Sequence, residues 1–307
     1  MSNVVIMVWK QHLESGFGDL LRGTIYLCKL SQQLNFKLIV DMQLHPVSKL
    51  LVPRPHMYSS YVMEHQSEIY NGISKQPEEI VNTIKTNMMH DKPFLIITNV
   101  IDNYIESPSN SCKYFMRSLL TPNDDFKKYF NDMCNAFRIP INYSIAHFRL
   151  GDEELLDNQM NFEQYNTLCG IIDFQMASTP NLYIMSDSLH FKQYLCKRIR
   201  PELTERIIPT TPIHLAHPDA DVEKMKETMF DFMLLTNARI IKTHSKYKWV
   251  SGFVQWASHI FSVPLVNMKP KMAMKLQMGT SAPTTPQHAR ITSTVSSSSS
   301  RSLRKMF

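Results

Sequence analysis

Four stretches place polar and charged side chains where a chain of this kind could do chemistry. In Ala146-His147-Phe148-Arg149-Leu150-Gly151-Asp152, His147 and Arg149 are two residues apart, so on a strand they share one face. The planar guanidinium of Arg149 suits phosphate oxygens, and Gly151 lets the chain leave the strand end sharply. Glu14-Ser15-Gly16-Phe17-Gly18-Asp19 has two glycines that let backbone approach a ligand at a helix start, where free N–H groups favour anions. The same glycines also serve a plain tight turn. No Gly-Lys-Ser/Thr follows, and Leu21 stands where a dinucleotide fingerprint has its third glycine, so neither motif is complete. Ser186-Asp187-Ser188 ends an apolar run; it reads as a helix cap or places Asp187 as an acceptor for a nucleobase or ribose. The segment Asp231 to Trp256 contains Thr243-His244-Ser245-Lys246-Tyr247-Lys248-Trp249. Thr243 and Ser245 beside helix N–H groups form an anion site, or they cap a helix whose Trp249 and Trp256 are core.

The elements that must position these residues follow from periodicity. Val4–Val8, Lys37–Val40, Phe94–Thr98, Ser144–Arg149, Leu182–Met185, Arg206–Ile208, Ala238–Lys242 and Val263–Val266 read as strands. Leu20–Leu34, Pro77–Met89, Pro122–Phe137 (Thr121 capping), Phe162–Met176, Ser188–Ile199, Asp221–Thr236 and Tyr247–Phe261 read as helices. Strand and helix alternate twice, which predicts an α/β protein with parallel sheets and two doubly wound halves. The expected halves are 1–139 and 140–268, with the ligand between them at strand carboxyl ends.

Composition narrows the classes. The chain has 307 residues, a net charge of +6, 43% hydrophobic and 20% charged residues, as a globular protein has. Seven of the 33 Lys+Arg lie in 269–307 and no acid does, leaving 26 against 27 acids in 1–268. The body is therefore near neutral, and this count gives no support for the basic face that nucleic-acid binding needs. The stretch 269–307 is rich in Ser and Thr and predicts a disordered basic tail, a plain solvated terminus first, with weak membrane contact or phosphorylation as the alternatives. No apolar run reaches the ~20 residues of a membrane span, and the start lacks a signal-peptide pattern. Five widely spaced cysteines with no CxxC pair suit free thiols in a reducing, cytoplasmic setting.

Gly16-Phe17-Gly18-Asp19, His147-x-Arg149-x-Gly151-Asp152, Ser186-Asp187 and the Thr243–Trp249 turn together resemble the motifs of GDP-fucose-dependent fucosyltransferases. That superfamily includes the α1,2- and α1,6-enzymes, the nodulation enzymes and the protein O-fucosyltransferases. The resemblance implies a GT-B fold of two facing Rossmann-like domains, the first on the acceptor side and the second binding the nucleotide sugar. It implies an inverting glycosyltransferase that moves L-fucose from GDP-fucose to a glycan hydroxyl, with no metal and no other cofactor. In this resemblance Arg149 binds the β-phosphate and His147 helps hold the nucleotide. Asp187, with Ser186 beside it, meets guanine or ribose, the Gly16-Phe17-Gly18 loop approaches the pyrophosphate, and Ser245 with Thr243 binds phosphate. Asp19, Asp152 and Glu153 are positioned as candidates for the acceptor base. Leu150 stands where many relatives carry a second arginine, and Lys248 and a single Trp249 depart from the α1,2 pattern.

Other classes remain to be separated from this one: a transferase using another nucleotide sugar, a metallophosphoesterase, and a non-catalytic nucleotide- or glycan-binding module. The phosphoesterase lacks an Asp-x-His and a second Gly-Asp cluster for a two-metal site. The transferase requires the Arg149 guanidinium to stand open in a groove and take up charge as the diphosphate leaves. A guanidinium turned away from any groove, or buried against a carboxylate partner, would end that picture.

Overall fold

The computed structural model describes residues 3–10, 16–90, 92–100, 107–150, 162–211 and 222–268. The first sheet contains β1 (Val4–Val8), β2 (Lys37–Asp41), β3 (Tyr70–Gly72) and β4 (Phe94–Thr98), in the order β2-β1-β4-β3. The second contains β5 (Ser144–Arg149), β6 (Leu182–Ser186), β7 (Ile241–Ser245) and β8 (Leu265–Asn267), in the order β6-β5-β7-β8. Every strand pair is parallel. Both sheets are thus the α/β architecture expected. All five residues of β1 are buried, because a central parallel strand is covered on both faces and must be apolar throughout.

Among the described residues the α-helices are α1 (Phe17–Leu34), α2 (Ser59–Glu64), α3 (Pro77–Asn87), α4 (Asn110–Leu119), α5 (Asp124–Ala136), α6 (Phe162–Ser178), α7 (Leu189–Cys196), α8 (Val222–Asn237) and α9 (Gly252–Phe261). In α1 the buried Leu20, Leu21, Leu27 and Leu30 make one apolar stripe. The helix stops at Asn35, in the left-handed conformation with φ 54°, whose N–H returns to the Ser31 carbonyl. One hydrophobic core joins the inner face of both sheets, from Val5 and Met7 through Ile145 and Met185 to Phe232 and Trp256. Phe17 of α1, Phe232 of α8 and Phe253 of α9 meet edge to face, with centroids 5.1 to 6.5 Å apart. Arg117 of α4 donates to the Ile260 carbonyl (2.7 Å) and to the Ser262 hydroxyl (3.1 Å) at the end of α9. Helix α9 is therefore held on α4.

Several expected elements move. The helix expected over 122–137 begins at Asp124, capped by Asn123, whose Oδ1 accepts the Phe126 N–H at 2.9 Å. Thr121 turns back to the Arg117 and Ser118 carbonyls instead. The strand expected over 238–242 is β7, three residues later, so Thr243 and Ser245 are strand residues rather than turn residues. The helix expected from Tyr247 begins at Gly252, after an irregular segment. Arg206–Ile208 contributes one parallel bridge, Ile184 with Ile207, rather than a strand. The expected tail, 269–307, lies outside the described residues.

Candidate functional site

The order β6-β5-β7 puts a topological switch between β5 and β7, since the chain leaves β5 to one side and returns on the other. Register then fixes which side chains meet there. His147 pairs with Thr243, Arg149 with Ser245, and Phe148 with Ser186 on the opposite side of β5. In parallel strands register partners share a face, so His147, Arg149, Thr243 and Ser245 share one face at the carboxyl end. That is the crevice where ligands of such sheets sit.

Two of these side chains have polar atoms with no partner among the described residues. His147 is 4% exposed and its Nδ1 is buried without a hydrogen bond; Thr243 is 0% exposed and its Oγ1 likewise. Burial, reinforced by the nearby Arg149 and Lys192 charges, pushes the His147 imidazole down to about 3, so the ring is neutral near pH 7. Buried polar groups left unpaired are costly, and two of them side by side mark a place built for something polar.

Arg149 and Asp187 do not stand apart. The Arg149 Nη1 donates to Asp187 Oδ2 at 2.6 Å, with the two side chains 17% and 8% exposed. Asp187 Oδ1 also accepts the Leu150 N–H at 2.9 Å. The roles expected separately, a phosphate cation and a base reader, are thus joined in one ion pair that clamps the end of β5. This corrects the expectation of an open guanidinium: its charge is shared with a carboxylate.

Ser186 is spent locally. Its hydroxyl donates to the Phe148 carbonyl (3.0 Å) and accepts the Ser188 N–H (3.2 Å). Ser188 is the cap of α7, accepting the Phe191 N–H at 3.0 Å. Ser245 Oγ accepts the Tyr247 N–H at 3.2 Å, opening the segment after β7.

The first loop serves differently from the expectation. Phe17 is core, 3% exposed between Trp9, Phe232 and Phe253, and so leaves the ligand site. Gly18 is where α1 meets the start of α9: a Cβ there would lie 2.9 Å from the Phe253 amide nitrogen and 3.0 Å from the Gly252 carbonyl carbon. The amino ends of α1 and α9 are therefore brought together, and free helix N–H groups favour anions. Asp19 caps α1 by accepting the Gly16 N–H (3.1 Å) and pairs with Arg22 (2.7 Å). Asp152 and Glu153 lie outside the described residues.

A second buried polar cluster carried no sequence signal. Lys192 of α7, 2% exposed, donates to the Thr210 carbonyl, and the Thr210 hydroxyl donates to Asp231 of α8 at 2.8 Å. Burial raises the Asp231 carboxyl to about 7, against the pull of Lys192. Lys192 also lines a cavity of about 440 Å³ with Phe137, Arg138, Leu189 and Ile207; no residue expected at the donor site lines it. A lysine in a helix reads as surface, so nothing in the sequence marked this one. Among the described residues no group of three or more His, Cys, Asp or Glu is placed to hold a metal ion.

No protein-family model matches the sequence, and no curated protein sequence does. Solved structures do match. The α-1,6-fucosyltransferase NodZ co-crystallised with GDP is 11% identical, with a TM-score of 0.52 over 84% of this chain and 92% of that one. The fucosyltransferase NodZ from Bradyrhizobium is 12% identical, with a TM-score of 0.51 over 84% and 93%. A mutant of Arabidopsis thaliana FUT1 in complex with GDP is 12% identical, with a TM-score of 0.50 over 89% and 71%. With two parallel sheets, each with its switch point at the carboxyl edge, this chain has the α/β, GT-B-like fold of fucosyltransferases.

Proposed function

We propose that the chain is a glycosyltransferase that takes a nucleotide-diphosphate sugar, GDP-fucose first, and transfers the sugar with inversion to a glycan hydroxyl without a metal. The observation that carries this is the β5/β7 register, which aligns His147 with Thr243 and Arg149 with Ser245 at one strand edge, with two buried polar atoms unpartnered among the described residues. The fold likeness supports it, because the NodZ and FUT1 structures were obtained with GDP. In this reading His147 and Thr243 hold the nucleotide, Ser245 and the paired amino ends of α1 and α9 meet the diphosphate, and Arg149 shares in its charge. Asp187 holds the guanidinium in place. The acceptor base is assigned to Asp152 by sequence position, since Asp19 is occupied as a cap and ion-pair partner. Free cysteines, Cys28 and Cys112 among them, suit a cytoplasmic setting. No described helix is long and apolar enough to cross a membrane.

The Arg149–Asp187 pair favours a second reading, a nucleotide- or glycan-binding module without catalysis, because a neutralised guanidinium stabilises a leaving diphosphate less. A thermal-shift screen with GDP-fucose, GDP-mannose and UDP-glucose, with and without EDTA, separates the cases. Stabilisation by a GDP-sugar that survives EDTA, followed by sugar release or transfer, is the expected result. Stabilisation without any turnover would leave the module; no stabilisation by any of the three would end the donor reading.

A further inference from the structure

Tyr247 and Trp249, just beyond β7, form a flat pair with centroids 5.0 Å apart and planes within 6°. Trp249 is 65% exposed, whereas the other two tryptophans, Trp9 and Trp256, are 0% and 2% exposed. The capped-helix alternative had Trp249 in the core; the structure puts it in water, with one face on Tyr247 and the indole otherwise largely open. Exposed Lys246 and Lys248 alternate with the two aromatic residues along the chain. The segment leaves directly from the candidate site, since the Lys246 N–H donates to the Arg149 carbonyl at 2.9 Å and the Tyr247 N–H to Ser245 Oγ at 3.2 Å.

We propose that Trp249, backed by Tyr247, is the platform on which a pyranose ring of the acceptor glycan stacks. This rests on the glycosyltransferase reading and adds the acceptor's place to it. A β-linked pyranose with equatorial hydroxyls presents a face of C–H groups, which suits the negative face of an aromatic ring. Its rim of hydroxyl oxygens accepts hydrogen bonds, and lysine ammonium groups offer donors only. A guanine would also stack, but its reading edge presents N–H donors. The segment Thr243–Val250 contains no carboxylate or amide side chain to accept them.

Tryptophan emission of the full chain tests this, because Trp249 is the exposed tryptophan of the three. Cellotetraose, chitotetraose and N-acetyllactosamine are titrated separately, with GDP alone as the comparison and acrylamide as quencher. At least one oligosaccharide is expected to shift the emission to the blue and shield Trp249 from acrylamide, while GDP does neither. In calorimetry Trp249→Ala should weaken that oligosaccharide on the order of tenfold, and Trp249→Phe should restore most of it. Shielding by GDP alone, shielding by none of the three sugars, or unchanged binding by Trp249→Ala would each overturn the platform. Sugar shielding that persists while no GDP-sugar stabilises the chain would defeat the donor reading and leave the platform standing.

Discussion

Asp187 meets Arg149 at 2.6 Å, so the two residues are expected to depend on each other before any ligand arrives. Arg149→Ala and Asp187→Asn should each cost about 1.5–3 kcal/mol in urea unfolding, and the double variant should cost less than the sum. Additive losses would mean the pair contributes nothing as a pair. Arg149→Ala should also weaken GDP about 10- to 100-fold in calorimetry; an unchanged Kd confines Arg149 to a structural role. Because Asp187 is engaged with Arg149 and the Leu150 amide, Asp187→Asn should shift GDP and UDP affinity alike.

Two buried groups at this scale titrate with opposite sign. Asp231 goes from its ordinary 3.8 up to about 7, so the fold keeps a proton that the unfolded chain has released. Its contribution to stability therefore falls as pH rises across that window. His147 goes from 6.5 down to about 3, so the unfolded chain binds the extra proton and stability is lost as pH falls from about 6.5 toward 3. In thermal unfolding between pH 4 and 6.5, Asp231→Asn should therefore rise more steeply with pH than the wild type, and His147→Gln less steeply. The same slope in all three proteins would show that neither group is shifted as its burial implies.

Among the elements, α1 is held by two close approaches. A Cβ on Gly23 would lie 1.8 Å from the Thr98 carbonyl oxygen of β4, whereas one on Gly18 would lie 2.9 Å from the Phe253 nitrogen of α9. Backbone atoms cannot swing aside as a side chain can, so Gly18→Ala should cost about 1–3 kcal/mol and Gly23→Ala more. Urea midpoints in the reverse order would contradict these crossings. The strands were legible where burial on both faces forces apolar runs, as in Val4–Val8 and Phe94–Thr98. The register of β7 was not, because its second half, Thr243-His244-Ser245, has the composition of a turn. α4 went unread although Cys112, Met116 and Leu119 carry its buried stripe; the exposed Tyr114 and the adjacent Phe115 blur that spacing into a weak periodic signal.

At the scale of the whole molecule, the end of β5 at Arg149 could be read from the sequence, and which residues pair across it could not. Arg149 and Asp187 are 38 positions apart on neighbouring strand ends, and only the assembled sheet brings them together. The encounter of Gly18 with Gly252 is likewise a product of packing. Phe17 looked like part of a ligand loop because the motif around it carries glycines; its side chain is instead the meeting point of α1, α8 and α9.

That meeting point bears on how the polypeptide can be divided. A gene interrupted near residue 139 would remove α8 and α9, and with them the cover over Phe17 supplied by Phe232 and Phe253. The amino-terminal fragment should then accumulate in inclusion bodies, and co-expressing the remaining fragment should return it to the supernatant.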